Sequence, residues 1–296
     1  MIGLVHLVSA PLGPAPVREF LRSYHDHPPG VEHELAIVLN GARPQGAGGT
    51  RNTGAGNTGR ALSRETLLAE LGETKHRLIV LDRPVPDLAA YGLAARELSQ
   101  ARLCFTNSRS VALTDRWLSM LTRALDEPNV GLAGATASWE TQAHWIRGRA
   151  RYWPYQLARL RRARREYPHF PNPHIRTTSF MLARELVLAL KLHEVSDKRD
   201  AHLLESGRRS ITRQIQDRAM RAVVVGCDGR VYGIKNWAVS RTYRSGGQDN
   251  LLVADGGTRD WQLASPRLKR RLSHDAWGEY YVGPGGTGAD GSQPLR

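Results

Sequence analysis

The segment from Leu103 to Trp139 constrains this chain most, because its residues order themselves as strand, polar loop, helix and strand. Leu103-Cys104-Phe105 is a short apolar run, and Leu113, Trp117, Leu121 and Leu125 recur at helical spacing behind Thr114-Asp115, a plausible N-cap. Asp126-Glu127-Pro128-Asn129 breaks that helix, and Val130 to Ala137 is small and apolar enough for a buried parallel strand. Asn107-Ser108-Arg109-Ser110 therefore projects from the carboxyl end of a strand, the edge at which open parallel sheets bind ligands.

The same alternation precedes it. Ile2 to Ser9 reads as a first strand, followed by the turn Pro11-Leu12-Gly13-Pro14 and a helix carrying Val17, Phe20, Leu21 and Tyr24. Leu35 to Leu39 is a second strand ending at Asn40-Gly41, and Arg77 to Leu81 a third ending at Asp82. Helices from about Ser63 to Leu71 and from Asp87 to Leu98 lie between, which predicts a doubly wound α/β sheet. Residues 43–60 are rich in Gly, Asn and Thr and read as a flexible loop; they lack the GxxxxGK[ST] pattern of a phosphate cradle. Beyond Tyr167 the pattern changes: Thr178 to Leu182 is strand-like, Arg184 to Leu192 is helical, and Leu204-Glu205-Ser206-Gly207 precedes a helix whose Ile211, Ile215 and Ala219 share a face. Val223 to Val225 and Val231 to Ile234 flank the Asp228-Gly229 turn of a hairpin, and the last residues read as disordered.

A chain of 296 residues can bury one sizeable core, and its net charge of +14 favours an anionic partner: nucleic acid, a phosphorylated small molecule or an acidic membrane surface. Eight arginines and one carboxylate fall between Arg147 and Glu166, with Tyr152, Trp153 and Tyr155 interleaved. This run reads either as a solvated helix or as a surface for peripheral contact with an anionic membrane. No helix-turn-helix, RNA-binding or zinc-finger pattern supports nucleic acid. The apolar first residues lack the charged flank and cleavage site of a signal peptide, and no run reaches the ~20 apolar residues of a membrane span, so the chain reads as cytoplasmic or peripheral at the inner face of a membrane. Cys104 and Cys227 sit in apolar runs and read as buried thiols; His25, His27 and His33 read as a solvated loop rather than a zinc site.

With its strands placed, the chain resembles the GT-A fold of family-two-type nucleotide-sugar glycosyltransferases over roughly residues 1–260. The resemblance is carried by a first strand ending in Pro11, a second ending in Asn40, Phe105-Thr106-Asn107-Ser108 followed by Trp117-Leu118, Pro128-Asn129-Val130-Gly131 leading into a strand, and Glu205 just before a helix. His174-Ile175-Arg176-Thr177 before Phe180-Met181, Glu205-Ser206-Gly207 and Asn250 to Asp255 are similar to a little-described bacterial subgroup. The resemblance implies a Rossmann-like, mostly parallel sheet flanked by helices. It divides into a nucleotide-binding half over about 1–140 and an acceptor-side half over about 141–262, with 263–296 as a partly disordered extension.

Its implied activity is transfer of a sugar from a nucleotide-diphosphate donor to a hydroxyl of a saccharide, glycolipid or secondary metabolite. Such enzymes carry Asp-x-Asp where this chain has Asn107-Ser108-Arg109, and those carboxylates hold Mg²⁺ or Mn²⁺ against the donor's diphosphate. Three explanations stand open: a metal held by Asn107 with a carboxylate such as Asp82; a metal-free site in which Arg109 or Arg176 neutralises the diphosphate; or a module that binds a nucleotide sugar or glycan without catalysing. Glu205 is the candidate base that takes the acceptor's proton in an inverting transfer, with Asp200 in reserve; alternatively Glu205 stabilises a helix start. Pro11, Asn40, Asp82, Asn107, Ser108 and Arg109 are the expected donor contacts. Trp139, His174, Arg176 and Asp255 are expected in the acceptor cleft, Trp139 either stacking on a sugar or packing in the core, and Asp255 on a segment that forms a lid or a surface strand.

Overall fold

The computed structural model describes residues 1–42, 61–81, 83–144, 153–281 and 283. The Gly-rich loop, Asp82, the start of the arginine run and the chain's last residues lie outside the described residues.

An eight-stranded sheet organises the chain. In chain order its strands are β1 (Ile2–Ser9), β2 (His33–Asn40), β3 (Arg77–Val80), β4 (Arg102–Thr106), β6 (Val130–Gly134), β9 (Ser179–Ala183), β10 (Arg221–Val225) and β11 (Val231–Tyr232). Two pairings of two-residue strands complete the set: β5 (Val111–Ala112) with β12 (Val253–Ala254), and β7 (Ala137–Ser138) with β8 (His174–Ile175). The spatial order is β11-β10-β6-β9-β4-β1-β2-β3. β1, β2, β3 and β4 run parallel, β6 and β10 run parallel, and β9 lies antiparallel between β4 and β6, so only β9 and β11 oppose the common direction. This is the mostly parallel α/β sheet that the strand-helix alternation predicts.

Alternation along each strand fills both faces, as a doubly covered sheet requires. In β1, Val5 and Leu7 join the layer built with α3 (Asp87–Glu97), while Leu4 and Val8 join the layer of α1 (Ala15–Asp26), α2 (Arg64–Leu71) and α4 (Trp117–Ala124). Gly92 in α3 is there for contact: a Cβ at this position would come within 2.2 Å of the His193 backbone nitrogen. The remaining helices are α5 (Trp153–Glu166), α6 (Arg184–Ala189), α7 (Lys198–Ser206), α8 (Ile211–Gln216), α9 (Gly256–Leu263) and α10 (Pro266–Trp277). Among the described residues no helix is long and apolar enough to cross a membrane.

Four expectations need correction. The helix after the polar loop starts at Trp117 rather than behind Thr114-Asp115: Arg116 adopts a left-handed conformation (φ 62°) and its N–H bonds the Pro28 carbonyl. Val111-Ala112 is a strand edge instead, and Leu113 is exposed. The segment before Asp255 is neither lid nor surface strand, because Leu251, Leu252, Val253 and Ala254 are all buried and β12 pairs with β5. Glu205 does not stabilise a helix start; it lies in the last turn of α7, and Ser210 caps α8. The stretch beyond residue 262 also reaches the core, where the Trp277 ring meets Trp139 edge-on at 5.5 Å.

Candidate functional site

The strand order reverses between β1 and β4: β2 lies on one side of β1 and β4 on the other, which opens the crevice where ligands of such sheets bind. The loop 107–110 rises at this point and is folded on itself. Asn107 Oδ1 accepts the Arg109 N–H at 2.9 Å, the Asn107 N–H donates to Ser110 Oγ at 3.0 Å, and the Ser110 hydroxyl donates to the Thr178 carbonyl at 2.7 Å. Ser108 is buried and its Oγ accepts the Ser9 N–H at 3.0 Å, so it ties the ends of β1 and β4 together. The Arg109 side chain is exposed and runs beside Gly256 at the start of α9, with no carboxylate paired to it among the described residues.

Three consecutive residues at the head of β9 each address a different carboxylate. Arg176 faces Glu140 (Nη1 to Oε2, 3.7 Å), the Thr177 N–H and hydroxyl both approach Glu205 Oε1 at 3.4 Å, and the Thr178 hydroxyl donates to Asp255 Oδ2 at 2.8 Å. The segment gathers three acidic side chains from distant elements.

Asp255, expected in the acceptor cleft, stands against the 107–110 loop. It caps α9 through a reciprocal pair with Thr258 (Oδ1 from the Thr258 N–H, 2.9 Å), and its Oδ2 also receives the Asn107 amide at 3.4 Å. These residues do not fit a divalent cation. Both Asp255 oxygens and Asn107 Oδ1 are already taken up by hydrogen-bond donors, and no group of three or more His, Cys, Asp or Glu among the described residues is arranged to hold a metal. The positive charge at this edge comes from Arg109; Arg259 bonds the Arg109 and Asp255 carbonyls and is ion-paired with Glu19 at 2.6 Å.

Glu205 opens onto a cavity of about 460 Å³ lined by Pro84 to Leu88, Thr177, Lys198, Ala201 and His202. A negative charge in the last turn of a helix works against the helix dipole by about 0.3–1 kcal/mol, so α7 gains nothing from a glutamate there. Asp87 lines the same cavity; loss of water around its carboxyl, then the nearby Glu205 charge, push it above the usual carboxylate range. Asn40 shapes this wall rather than facing a nucleotide: its amide donates to the Val85 carbonyl at 2.8 Å and accepts the Val85 N–H at 3.0 Å. A hollow of 670 Å³ between α1 and α2 contains none of the expected residues.

Beside Arg176 stands a group the sequence did not mark. Arg244 lies 3.6 Å from the same Glu140 oxygen, and both guanidinium carbons lie over the Tyr243 ring, at 4.6 Å for Arg176 and 4.8 Å for Arg244. Burial opposes the Arg176 charge, but Tyr243, Glu205, Glu140 and Asp255 together outweigh it and push the guanidinium pKa up.

Trp139 is corrected to a core residue: it is 1% exposed and its ring is covered by Trp277 and Tyr280, leaving no face for a sugar. His174 is likewise buried, with Nδ1 on the Asn172 carbonyl at 2.9 Å, and burial lowers its pKa although Glu205 opposes the shift. Pro11 is exposed at the crevice rim in a short 3-10 turn, and Asp82 lies outside the described residues. Cys104 is buried and Cys227 half-buried, both free.

No family model and no curated protein matches the chain. Solved structures do. A mannosyltransferase, PcManGT from Pyrobaculum calidifontis, solved with GDP-Man and Mn²⁺, is similar at a TM-score of 0.45 and 14% identity, covering 93% of this chain and 68% of that one. A putative glucose-1-phosphate thymidylyltransferase from Bacillus anthracis, in complex with a sucrose, gives 0.45 and 9% over 93% of this chain and 96% of that one. Glucosyl-3-phosphoglycerate synthase from Mycobacterium tuberculosis, with Mn²⁺, UDP and phosphoglyceric acid, gives 0.35 and 15% over 63% and 56%. Scores of this size leave the function to be inferred from the chain's own geometry.

Proposed function

We propose that the chain is a GT-A-type glycosyltransferase that moves a sugar from a nucleotide-diphosphate donor to an acceptor hydroxyl with inversion, using Glu205 as base and no divalent cation. The observation that carries this reading is the Glu205 carboxylate, fixed by Thr177 at the mouth of a 460 Å³ cavity beside the strands' carboxyl edge. The donor lies along the β1–β4 crevice, against Pro11 and the 107–110 loop. The acceptor hydroxyl enters the cavity and gives its proton to Glu205 as its oxygen attacks the anomeric carbon. The bond from that carbon to the diphosphate breaks on the opposite face, and the leaving diphosphate takes the electron pair. Arg109 meets that charge with a planar fork suited to phosphate oxygens.

Two measurements test this. A thermal-shift panel of UDP, GDP and TDP species is expected to raise the melting temperature with at least one nucleotide. Donor turnover is expected to fall about 10²–10⁴-fold in Glu205→Gln with nucleotide binding kept. Binding with equal turnover in both proteins would instead mark a module that recognises the nucleotide sugar without Glu205 chemistry.

A further inference from the structure

We infer that Arg176, Arg244 and Tyr243 form a second anion site, one that receives a carboxylate or phosphate group of the acceptor. The inference rests on the transferase reading for the word acceptor, but the site itself stands on geometry.

Two guanidiniums share one carboxylate there. Arg176 and Arg244 lie 3.7 and 3.6 Å from Glu140 Oε2, beyond hydrogen-bond length, and that oxygen is buried with no hydrogen-bond partner. The Nε atoms of both arginines are buried and unpartnered too, as are the hydroxyls of Tyr243, 1% exposed, and Thr136, fully buried. Arg176, Arg244 and Glu140 together carry one positive charge, with Glu205 and Asp255 also acting on Arg176, and the buried idle donors of this partly exposed cluster lack an anion that would accept their hydrogens. Arg side chains are held for such a task by stacking, and here one phenol ring orients both.

The backbone holds Arg244 in place at a cost. Its φ of 45° is left-handed, as are those of Arg241 and Gln248 around it, and its N–H is pinned by Gln248 Oε1 at 2.9 Å. The backbone of Tyr243, on whose ring it lies, is anchored as well, since the Tyr243 carbonyl accepts the Trp277 indole N–H at 2.7 Å. Conformations of this kind persist where the surroundings over-determine them, and they gather at ligand clamps.

Position separates this cluster from the donor's diphosphate. The donor crevice lies at β1 and β4, whereas the Arg176 N–H bonds the Thr136 carbonyl next to β7, on the β6 side of β9. Glu205, held by Thr177, lies near enough to act on the Arg176 charge. An acceptor whose hydroxyl reaches Glu205 would therefore carry its anionic group only a few bonds away. The class is a compact hydroxy acid or hydroxyalkyl phosphate rather than a neutral glycan.

The test is titration calorimetry on the full chain with inorganic phosphate and with acetate, on wild type, Arg244→Gln and Arg244→Lys, beside UDP, GDP and TDP thermal shifts on the same proteins. One phosphate or acetate per chain is expected in wild type, the better ligand naming the acceptor's group. Affinity should fall at least tenfold in Arg244→Gln and less in Arg244→Lys, with the nucleotide shift unchanged. Equal anion binding in wild type and Arg244→Gln, or none in wild type, overturns the site. Loss of the nucleotide shift together with anion binding in Arg244→Lys, whose folding is checked by circular dichroism, assigns the cluster to the donor and overturns its acceptor role. Anion binding in a protein that no nucleotide stabilises overturns the donor reading and leaves the site standing.

Discussion

Glu205 accepts from Thr177 and looks into a cavity with Asp87, Lys198 and His202, a setting that no need of α7 explains. The sequence named Glu205 but placed it just before a helix rather than in the last turn of one, because Lys198 to Ser206 carries too few apolar side chains to announce a helix. Arg244 and Glu140 were illegible for a different reason. Their partnership is made by a loop of left-handed residues, and no local pattern in Thr242 to Gln248 predicts where that loop puts a guanidinium. His6 gives a prediction independent of catalysis. It is fully buried, bonded through Nδ1 to Thr106 Oγ1 at 3.0 Å and stacked on Phe20 at 3.5 Å, and burial lowers its pKa from 6.5 to about 3. The unfolded chain therefore binds a proton that the folded chain refuses between these values. The His6 contribution to stability is whole above pH 6.5 and is lost progressively as pH falls toward 3. Urea unfolding across that window should show stability falling with acid in wild type and a shallower slope in His6→Gln; equal slopes would remove His6 as the source.

At the scale of elements, α9 acts as a strap across the crevice's edge. Asp255 caps it while binding Thr178 and, 148 residues distant in sequence, Asn107. Asp255→Ala is expected to cost about 1–2 kcal/mol for the cap alone, and more for the Thr178 hydroxyl left without its acceptor, read as a lowered denaturant midpoint. A loss under about 0.5 kcal/mol would mean the strap holds nothing. The sequence showed β1 to its last residue because an unbroken apolar run ends at a Pro-Gly turn. It missed β5 because a two-residue strand has no period to detect, offered the β12 segment only as a lid or a surface strand, and left the reversed direction of β9 unread because strand direction is set by the connection rather than by composition.

At the scale of the molecule, the sheet carries a β1–β4 crevice near the exposed Arg109 and a cavity lined by α3 and α7. The C-terminal helix completes the core beneath them. Trp277 is fully buried against Trp139, and Trp277→Ala is expected to destabilise the chain by about 3–5 kcal/mol in chemical denaturation. A cost below about 1 kcal/mol would make α10 dispensable. On the proposal that Arg109 rather than a cation meets the leaving diphosphate, EDTA treatment should leave donor turnover unchanged, and a loss restored by Mn²⁺ would return the metal to this site. The most direct measurement is nucleotide-sugar turnover by wild type and Glu205→Gln, with nucleotide binding followed in both by thermal shift. The account requires that both bind the same nucleotide and that the variant be about 10²–10⁴-fold slower. Equal rates, or a wild type stabilised by no nucleotide, would contradict it.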